Sequence, residues 1–253
     1  MVNGLFIIGP AGSGKTSFCN ELKKTIISQR KSVAIINLDP ASEKLIYEPE
    51  IDIKNLIKCY EVGEELGLGP NGSLLFCMEY LLDNLNWLIK EISFFRNTNF
   101  LIFDFPGQIE IIMNNSYMND LIYELEKKLE ISLLKFFLLD AQFISDISKY
   151  IGGILTSFIC MIINDQTQYN ILSKANYVKN FPKEIINKYL NPCMSDFFFE
   201  LNIIHGKSYK KLNFSVLKLL EDFSFMKFIP LEITNVNYLV NIYKLLVNNV
   251  EDS

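Results

Sequence analysis

The sequence predicts an α/β fold in which helices cover both faces of a mostly parallel β-sheet. Short, fully apolar segments alternate with segments of helical periodicity, which is the pattern of strands buried on both faces. Four residues, one glycine and three aspartates, fall just past the ends of these apolar segments: Gly9, Asp39, Asp104 and Asp140. Because ligands of such sheets bind at the carboxyl ends of the strands, these four residues mark the expected site.

The chain is long and apolar enough for a full hydrophobic core. It has 253 residues, 49 % of them hydrophobic. A chain of this length buries about three quarters of the surface that its unfolded form exposes. No low-complexity linker and no internal repeat divides the sequence. We therefore expect a single domain over 1–253, with helical insertions at about 51–92 and about 177–223.

The strands are predicted, in chain order, from apolar segments that end in turn residues. Glycines bound the first, and Asp39-Pro40 ends the second because proline stops regular structure. Asp104 and Asp140 end the third and the fourth. Two short apolar segments follow nearer the carboxyl end. The predicted strands are 4–8, 32–38, 100–103, 133–139, 169–172 and 228–233.

The helices are predicted from apolar residues that recur at helical spacing, as Phe18, Leu22 and Ile26 do after the first strand. Ser73 is placed to cap a long amphipathic helix. The longest uncharged segment is about four residues too short to span a membrane, so it predicts a buried helix. The predicted helices are 15–29, 51–66, 73–92, 150–164 and 236–247.

The charged residues exclude some classes of protein. The formal net charge is −5, and Arg30 and Arg96 are the only arginines. Nucleic-acid-binding proteins usually carry a basic, arginine-bearing face, so we expect no direct contact with nucleic acid. The only histidine, His205, has no acidic or cysteine partner at ligand spacing and is typical of a structural residue. Phosphate chemistry must therefore depend on lysine, backbone amides and a metal ion.

The cysteines predict the redox compartment. They are scattered without a C-x-x-C pair, which favours reduced, mostly buried thiols in the cytoplasm over disulfide bonds or a zinc site. The amino-terminal residues lack the basic stretch of a secretory signal, and we expect no membrane association. The five cysteines are Cys19, Cys59, Cys77, Cys160 and Cys193.

A glycine-rich segment matches the phosphate-binding pattern G-x-x-x-x-G-K-[ST] between the first strand and the first helix. Its backbone amides point at phosphate oxygens, and the helix N-terminus adds its dipole. Lys15 is expected to neutralise the β- and γ-phosphates, and the Thr16 hydroxyl to bind Mg²⁺. The pattern predicts a nucleoside triphosphate site but does not identify the base. The expected contacts are Gly12, Ser13, Gly14, Lys15, Thr16 and Ser17.

A second motif, Asp104-Phe105-Pro106-Gly107-Gln108, follows the third predicted strand. An aspartate in this context holds Mg²⁺ at a phosphate-loop site, usually through water. Gln108 is then placed to orient the attacking water. Asp39 has two open roles: it polarises that water or joins the metal shell, or it caps the turn beside Pro40.

Three segments together resemble the GPN-loop GTPases: 37–41, 68–81 and 104–110. The middle segment contains Gly69-Pro70-Asn71, and although Pro-Asn-Gly alone is an ordinary turn, its place between two helical segments with matching flanks makes it specific. Segments 196–199 and 224–235 resemble the branch called GPN-loop GTPase 2. The resemblance covers essentially the whole chain.

The resemblance implies a P-loop NTPase that binds and hydrolyses GTP with Mg²⁺ as a dimer, with a second copy or a paralogue. It implies that Asn71 reaches into the partner's site and contacts the γ-phosphate or the released phosphate. Neither arginine is placed as an arginine finger, which fits a side-chain amide in that role. The resemblance further implies assembly of RNA polymerase II and III in the cytoplasm before nuclear import, through protein partners, with shuttling of this chain left open. The implied catalytic residues are Lys15, Asp39, Asn71 and Gln108, and the implied metal residues are Thr16, Asp39 and Asp104.

The base-recognition segment, Ser173-Lys174-Ala175-Asn176, departs from the family pattern, which ends in aspartate. Asparagine offers guanine one acceptor oxygen and an opposing amide donor. This mismatch costs about 1.5–3 kcal/mol, or tenfold to a hundredfold in affinity. Weaker GTP binding, relaxed base choice and compensation by neighbouring backbone remain open, and we favour weaker but guanine-directed binding.

Two functions from different classes fit these residues. The leading one is a dimeric GTPase switch, and the alternative is a nucleotide-binding interaction module with little or no turnover, in which Asn176 reflects lost catalysis. Lys15, Thr16, Asp104 and Gln108 are intact and favour turnover. A small-molecule kinase would need more arginines, and a metallochaperone would need paired cysteines or histidines.

Two apolar segments have structural interpretations. Phe197-Phe198-Phe199 is more typical of a core than of a recognition surface. The leucine and isoleucine stripe between 81 and 89 fits either internal packing or a dimer face.

Overall fold

A computed structural model describes residues 2–113, 115–163, 166–178, 181–222 and 227–251. The carboxyl end of the predicted helix 150–164, parts of the insertion 177–223 and the start of segment 224–235 lie outside these residues. Within them, seven strands form one sheet of order β3-β2-β4-β1-β5-β6-β7, and every described pairing is parallel. The strands are β1 (Val2–Ile8), β2 (Val33–Asn37), β3 (Ile51–Asp52), β4 (Phe100–Asp104), β5 (Ile131–Asp140), β6 (Gln168–Ser173) and β7 (Phe228–Pro230).

Helices cover both faces of this sheet, which confirms the predicted fold class. Leu5 and Ile7 of β1 pack on one face and Phe6 and Ile8 on the other, and all four are fully buried. None of the described helices is long and apolar enough to cross a bilayer. The helices are α1 (Lys15–Ser28), α2 (Cys59–Leu66), α3 (Pro70–Asp83), α4 (Leu85–Ser93), α5 (Ile109–Met113), α6 (Asn115–Leu129), α7 (Ile147–Ile163), α8 (Lys183–Leu190), α9 (Met194–His205), α10 (Lys210–Asp222) and α11 (Val236–Glu251).

The predicted helix over 51–66 is wrong in its first half. Ile51 and Asp52 form the edge strand β3, paired in parallel with Ile36 and Asn37 of β2. Asp52 then caps a short 3₁₀ turn, because its carboxylate accepts from the backbone amide of Lys54 at 2.9 Å. This local cap interrupts the apolar periodicity, and helix α2 begins only at Cys59.

The single helix predicted over 73–92 is two helices. The first, α3, begins at Pro70 with Gly69 at its N-cap, and proline at the first helical position is favourable there. Ser73 is therefore not a cap: its buried hydroxyl donates to the carbonyls of Leu68 and Gly69. Asn84 separates α3 from α4, and its side-chain amide donates to the carbonyl of Tyr80 at 2.9 Å.

The apolar stripe of α3 and α4 packs internally. Leu81, Leu85 and Leu88 are buried, and Leu82 and Ile89 are partly buried against the same core. Thus these residues do not form an exposed face. Helices α5 and α6, which the sequence analysis does not predict, add Ile111, Met118 and Leu121 to the same core.

The remaining structural interpretations hold in part. Four of the five cysteines are buried and unpaired, whereas Cys193 is exposed. Phe197 is fully buried but Phe199 is 74 % exposed, so the aromatic segment is half core and half surface. His205 is hydrogen bonded to Ser148 and Asn213, as expected of a structural histidine.

Candidate functional site

The carboxyl ends of five adjacent strands build the candidate site. Strands β2, β4, β1, β5 and β6 lie side by side and run in the same direction. Their ends therefore bring the glycine-rich loop after β1 together with Asp39, Asp104, Asp140 and Ser173. This is the edge of the sheet at which the sequence places the site.

The loop between β1 and α1 has the backbone that its glycines predict. Gly9, Gly12 and Gly14 have positive φ angles of 143°, 77° and 89°. A Cβ atom at Gly9 would lie 2.3 Å from the carbonyl oxygen of Leu138, so only glycine fits between β1 and β5 there. Gly14 is the N-cap of α1, so the first helical amides open onto the loop, where an anion is favoured.

Lys15 lies across this loop. Its Nζ donates to the carbonyl oxygens of Gly9 at 2.9 Å and of Pro10 at 3.1 Å. Burial lowers the pKa of Lys15, and Asp104 and Asp39 oppose this by favouring the charged form. The ammonium group is therefore held among loop carbonyls and near two carboxylates, positioned to exchange the carbonyls for phosphate oxygens.

Asp104, the last residue of β4, has two differently placed carboxylate oxygens. Oδ2 accepts a hydrogen bond of 2.7 Å from the Tyr47 hydroxyl. Oδ1 is buried and has no hydrogen-bond partner among the described residues. Burial raises the pKa of Asp104, whereas Tyr47, the Thr16 hydroxyl and Lys15 lower it. The carboxylate therefore lies beside Thr16 and Lys15, as the sequence predicts.

Asp39 is half-buried just after β2 and makes the turn contact that was one of its two expected roles. One of its carboxylate oxygens accepts from the backbone amide of Ala41 at 2.9 Å. Burial raises the pKa of Asp39, whereas the bond from Ala41 and the charge of Lys15 lower it. Its role toward water or metal stays a prediction.

The second motif touches the phosphate loop. A Cβ atom at Gly107 would lie only 2.8 Å from Cα of Ala11, so the two segments are in backbone contact. The next residue, Gln108, donates from Nε2 to Oδ1 of Asn71 at 3.0 Å. An unbroken series of contacts thus joins the loop, Gln108 and the Gly69-Pro70-Asn71 segment within one chain.

The base-recognition segment is fastened to the phosphate loop and to β5. The Ser173 hydroxyl donates to the carbonyl of Ser13 at 2.6 Å, and Lys174 forms a 2.6 Å ion pair with Asp140. The backbone amide of Ala175 donates to the carbonyl of Leu231. Asn176 is exposed at this edge. The segment therefore lies beside the phosphate loop, and its role toward the base stays a prediction.

The residues around Asp104 fit a magnesium ion. No cluster of three or more histidine, cysteine or acidic side chains able to hold a metal is found in the described part of the chain. A phosphate-loop metal does not need such a cluster, because the phosphates themselves are ligands. The unpartnered Oδ1 of Asp104 is the kind of buried acceptor that a water of the metal shell would satisfy.

Two features of the site are not predicted from the sequence: the role of Tyr47 and the pairing of Lys174 with Asp140. Tyr47 lies in the connection between β2 and β3, 57 residues from Asp104 in sequence, and no local pattern marks it. The sequence predicts Asp140 at the site, but its partner depends on the adjacency of β5 and β6.

Comparisons with known proteins show similarity over nearly the whole chain. The family described as "Conserved hypothetical ATP binding protein" matches residues 7–250. The chain is 41 % identical over 233 residues to a protein named GPN-loop GTPase 3 from Kluyveromyces lactis, covering 92 % of this chain and 86 % of the relative. Proteins of the same name from Saccharomyces cerevisiae (39 % over 235 residues, 92 % and 86 % covered) and Dictyostelium discoideum (37 % over 246 residues, 97 % and 86 % covered) are also similar.

The fold is also found in a solved structure. A GTPase from Pyrococcus abyssi in its apo form superposes with a TM-score of 0.80, covering 97 % of this chain and 96 % of its own, at 21 % identity. At that identity the likeness shows the fold alone. The curated relatives above carry the branch name GPN-loop GTPase 3, so the expected resemblance to branch 2 is not confirmed.

Proposed function

The chain belongs to the GPN-loop GTPase family, and from that premise we propose that it is a Mg²⁺-dependent GTPase that acts as a dimeric switch, with 1–253 as one catalytic domain. One observation supports the GTPase part of this proposal most strongly. The contacts from Ala11 through Gly107 and Gln108 to Asn71 bring the family's characteristic loop to the phosphate loop. The phosphate loop, which is typical of the fold, and the Gly69-Pro70-Asn71 segment, which is typical of the family, therefore meet at one site.

Different residues of the chain would bind the phosphates, hold the metal ion and stabilise charge during γ-phosphate hydrolysis. Lys15 leaves the carbonyls of Gly9 and Pro10 and neutralises charge on the phosphate oxygens, alongside the amides at the start of α1. Thr16 and Asp104 would hold Mg²⁺, which supplies neutralisation of phosphate charge when bound. Since the transition state of phosphoryl transfer is loose, positioning and charge stabilisation carry the catalysis.

The bond between Gln108 and Asn71 leaves each side chain one useful group. Because Gln108 uses its amide nitrogen, its Oε1 is available to accept from the attacking water. Because Asn71 uses its oxygen, its Nδ2 is available to donate to a phosphate oxygen. The pair therefore combines a water acceptor with a phosphate donor and needs no arginine.

We propose that in the dimer Asn71 serves the partner's site, as the family resemblance implies. Exposed apolar side chains around this loop support a partner there: Leu68, Leu75, Phe76 and Tyr80. The contact between Gln108 and Asn71 of one chain would then be exchanged for the same contact between two chains. A second copy and a paralogue are both suitable partners.

Complementation distinguishes action within one chain from action between chains. Lys15→Ala and Asn71→Ala subunits are each expected to release little phosphate alone. If Asn71 acts on the partner, an equal mixture regains about a quarter of wild-type release, since half the dimers then hold one complete site. A mixture no better than its components, with dimers verified by mass, would contradict action between chains.

Steady-state phosphate release from GTP tests the enzyme itself. Wild type should exceed a Lys15→Ala control, and Gln108→Leu should lower the rate by about a hundredfold or more. Release equal to that control, with GTP still bound, would favour the alternative of an interaction module with little turnover. Parallel binding of GTP, XTP and ATP tests the base, and preferential ATP binding would contradict the GTPase proposal.

We further propose that the chain belongs to the branch named GPN-loop GTPase 3 and takes part in assembling RNA polymerase II and III in the cytoplasm. The branch rests on the names of the curated relatives, and the clients rest on the family resemblance alone. Nucleotide-dependent co-purification with polymerase subunits tests the clients. Retention of those subunits equally with GDP, a GTP analogue and no nucleotide would contradict a switch.

A further inference from the structure

Tyr47 makes a contact with the candidate metal carboxylate that no part of the proposed reaction uses. Its hydroxyl donates to Oδ2 of Asp104 at 2.7 Å. Both side chains are buried, with Tyr47 8 % and Asp104 2 % exposed. Hydrogen bonds to a charged acceptor are strong when both groups are buried away from water. The bond from Tyr47 therefore fixes the rotation of the Asp104 carboxylate.

Because the two oxygens of a carboxylate rotate together, holding Oδ2 also sets the position of Oδ1. Oδ1 is buried without a hydrogen-bond partner among the described residues, although buried acceptors are nearly always satisfied. The surroundings of the carboxylate include the Thr16 hydroxyl and Lys15. The unpartnered oxygen thus belongs to the same group of residues that would surround the metal and the terminal phosphates.

Tyr47 is itself held by the fold. Its ring belongs to the core cluster that contains Phe18 and Leu22 of α1. The connection between β2 and β3 that carries Tyr47 is also tied down near its end, because Glu50 pairs with Lys23 and accepts from the backbone amide of Ile35 at 2.6 Å. The hydroxyl therefore lies on a rigid support rather than on an unattached segment.

We propose that Tyr47 is a positioning residue that holds the Asp104 carboxylate by Oδ2 and so presents Oδ1 to the metal's water shell. This inference rests on the proposed function, since it assigns Tyr47 a role in binding the Mg²⁺ which that function requires. The bond from Tyr47 to Asp104 also links Asp39 to the metal site, because Asp39 and Tyr47 lie in the same connection between β2 and β3.

The test is a Mg²⁺ titration that does not depend on turnover. Release of a fluorescent GDP analogue is measured against Mg²⁺ concentration for wild type, Tyr47→Phe and Asp104→Asn. Tyr47→Phe keeps the ring in the core and removes only the hydroxyl. We expect its Mg²⁺ concentration for half-maximal retention to rise about tenfold, and its affinity for GDP in EDTA to stay within about twofold.

A matched control separates positioning from stability. Tyr150 is also buried, and its hydroxyl donates to the carbonyl of Tyr189, in the core cluster formed on the opposite face of the sheet from that of Tyr47. Tyr150→Phe should lower the thermal midpoint without moving the Mg²⁺ requirement. If the shift in Tyr47→Phe merely followed lost stability, Tyr150→Phe would show it as well, and the inference would be wrong.

The outcomes also separate this inference from the proposed function. If wild-type retention is independent of Mg²⁺, the proposed function fails. If wild type and Asp104→Asn differ but Tyr47→Phe equals wild type, only the role of Tyr47 fails. A lower Mg²⁺ requirement in Tyr47→Phe would also overturn it, because Tyr47 would then compete with the metal instead of preparing its ligand.

Discussion

Replacing Gly107 with alanine should separate the two motifs that form the phosphate site. The added Cβ would lie 2.8 Å from Cα, 3.0 Å from Cβ and 3.2 Å from N of Ala11. Carbon atoms in ordinary contact are about 3.5–4.0 Å apart, so the segments must move by about 1 Å. No positive φ is involved at Gly107, so the cost comes from the contact and not from backbone strain.

The displacement affects catalysis more than folding. Gln108 is the next residue, and it holds Asn71 at 3.0 Å. A misplacement of about 1 Å in a reacting group costs about a hundredfold in rate. We therefore expect the kcat of Gly107→Ala for GTP to fall by about two orders of magnitude, whereas overpacking at this half-buried site should cost about 1–2 kcal/mol of stability.

Phosphate release under saturating GTP, with urea unfolding in parallel, measures both quantities. Gly152→Ala is the matched control, because its added Cβ meets no atom within 4 Å and it lies in helix α7. That variant should keep the wild-type rate and gain about 0.5–1 kcal/mol from helix propensity. A Gly107→Ala protein with wild-type kcat would refute the reasoning, since the loop contact would then have no consequence.

Three further predictions concern the base, the buried acid and the fastening of the loop. Asn176→Asp restores the second acceptor for guanine, so GTP should bind about tenfold or more tighter while ATP affinity stays unchanged, as competition binding would measure. Burial raises the pKa of Asp104 above the ordinary 3.8. Without nucleotide, the folded chain therefore binds the proton of this carboxyl more tightly than the unfolded chain does. The folded chain then loses stability as the pH rises through the raised pKa. Asp104→Asn should therefore increase the urea unfolding free energy at pH 7, with no gain below about pH 4; an equal gain at both pH values would contradict this assignment. Ser173→Ala removes the donor to the carbonyl of Ser13 and should lower the free energy of unfolding by about 1–2 kcal/mol. The variant should also bind nucleotide more weakly. An unchanged nucleotide affinity would show that this bond does not shape the loop.

Much of the site could be predicted because its residues are local to motifs. The loop from Gly9 to Thr16 needs glycines, a lysine and a hydroxyl at set spacings, and the structure has the positive φ angles that those glycines predict. Asp104 ends β4 where the apolar run ends. Such features depend on neighbouring residues in sequence, and a pattern of residue types is sufficient to find them.

Elements whose limits depend on distant partners were predicted less well. Ile51 and Asp52 form a strand only because β2 lies beside them, and their apolar neighbours fit a helix equally. The division of 73–92 at Asn84 and the start of α3 at Pro70 depend on individual side-chain bonds. Periodicity averages over such bonds and therefore placed one long helix there.

Local spacing and burial pattern are sufficient to predict six of the seven described strands, the phosphate loop and the residue types of the chemistry. Three contacts depend on the folded arrangement of the strands: Asn71 with Gln108, Lys174 with Asp140 and Tyr47 with Asp104. The physical reason is that these pairs lie 37, 34 and 57 residues apart. These contacts form only when the strands lie side by side in the folded sheet, so no local sequence pattern indicates them.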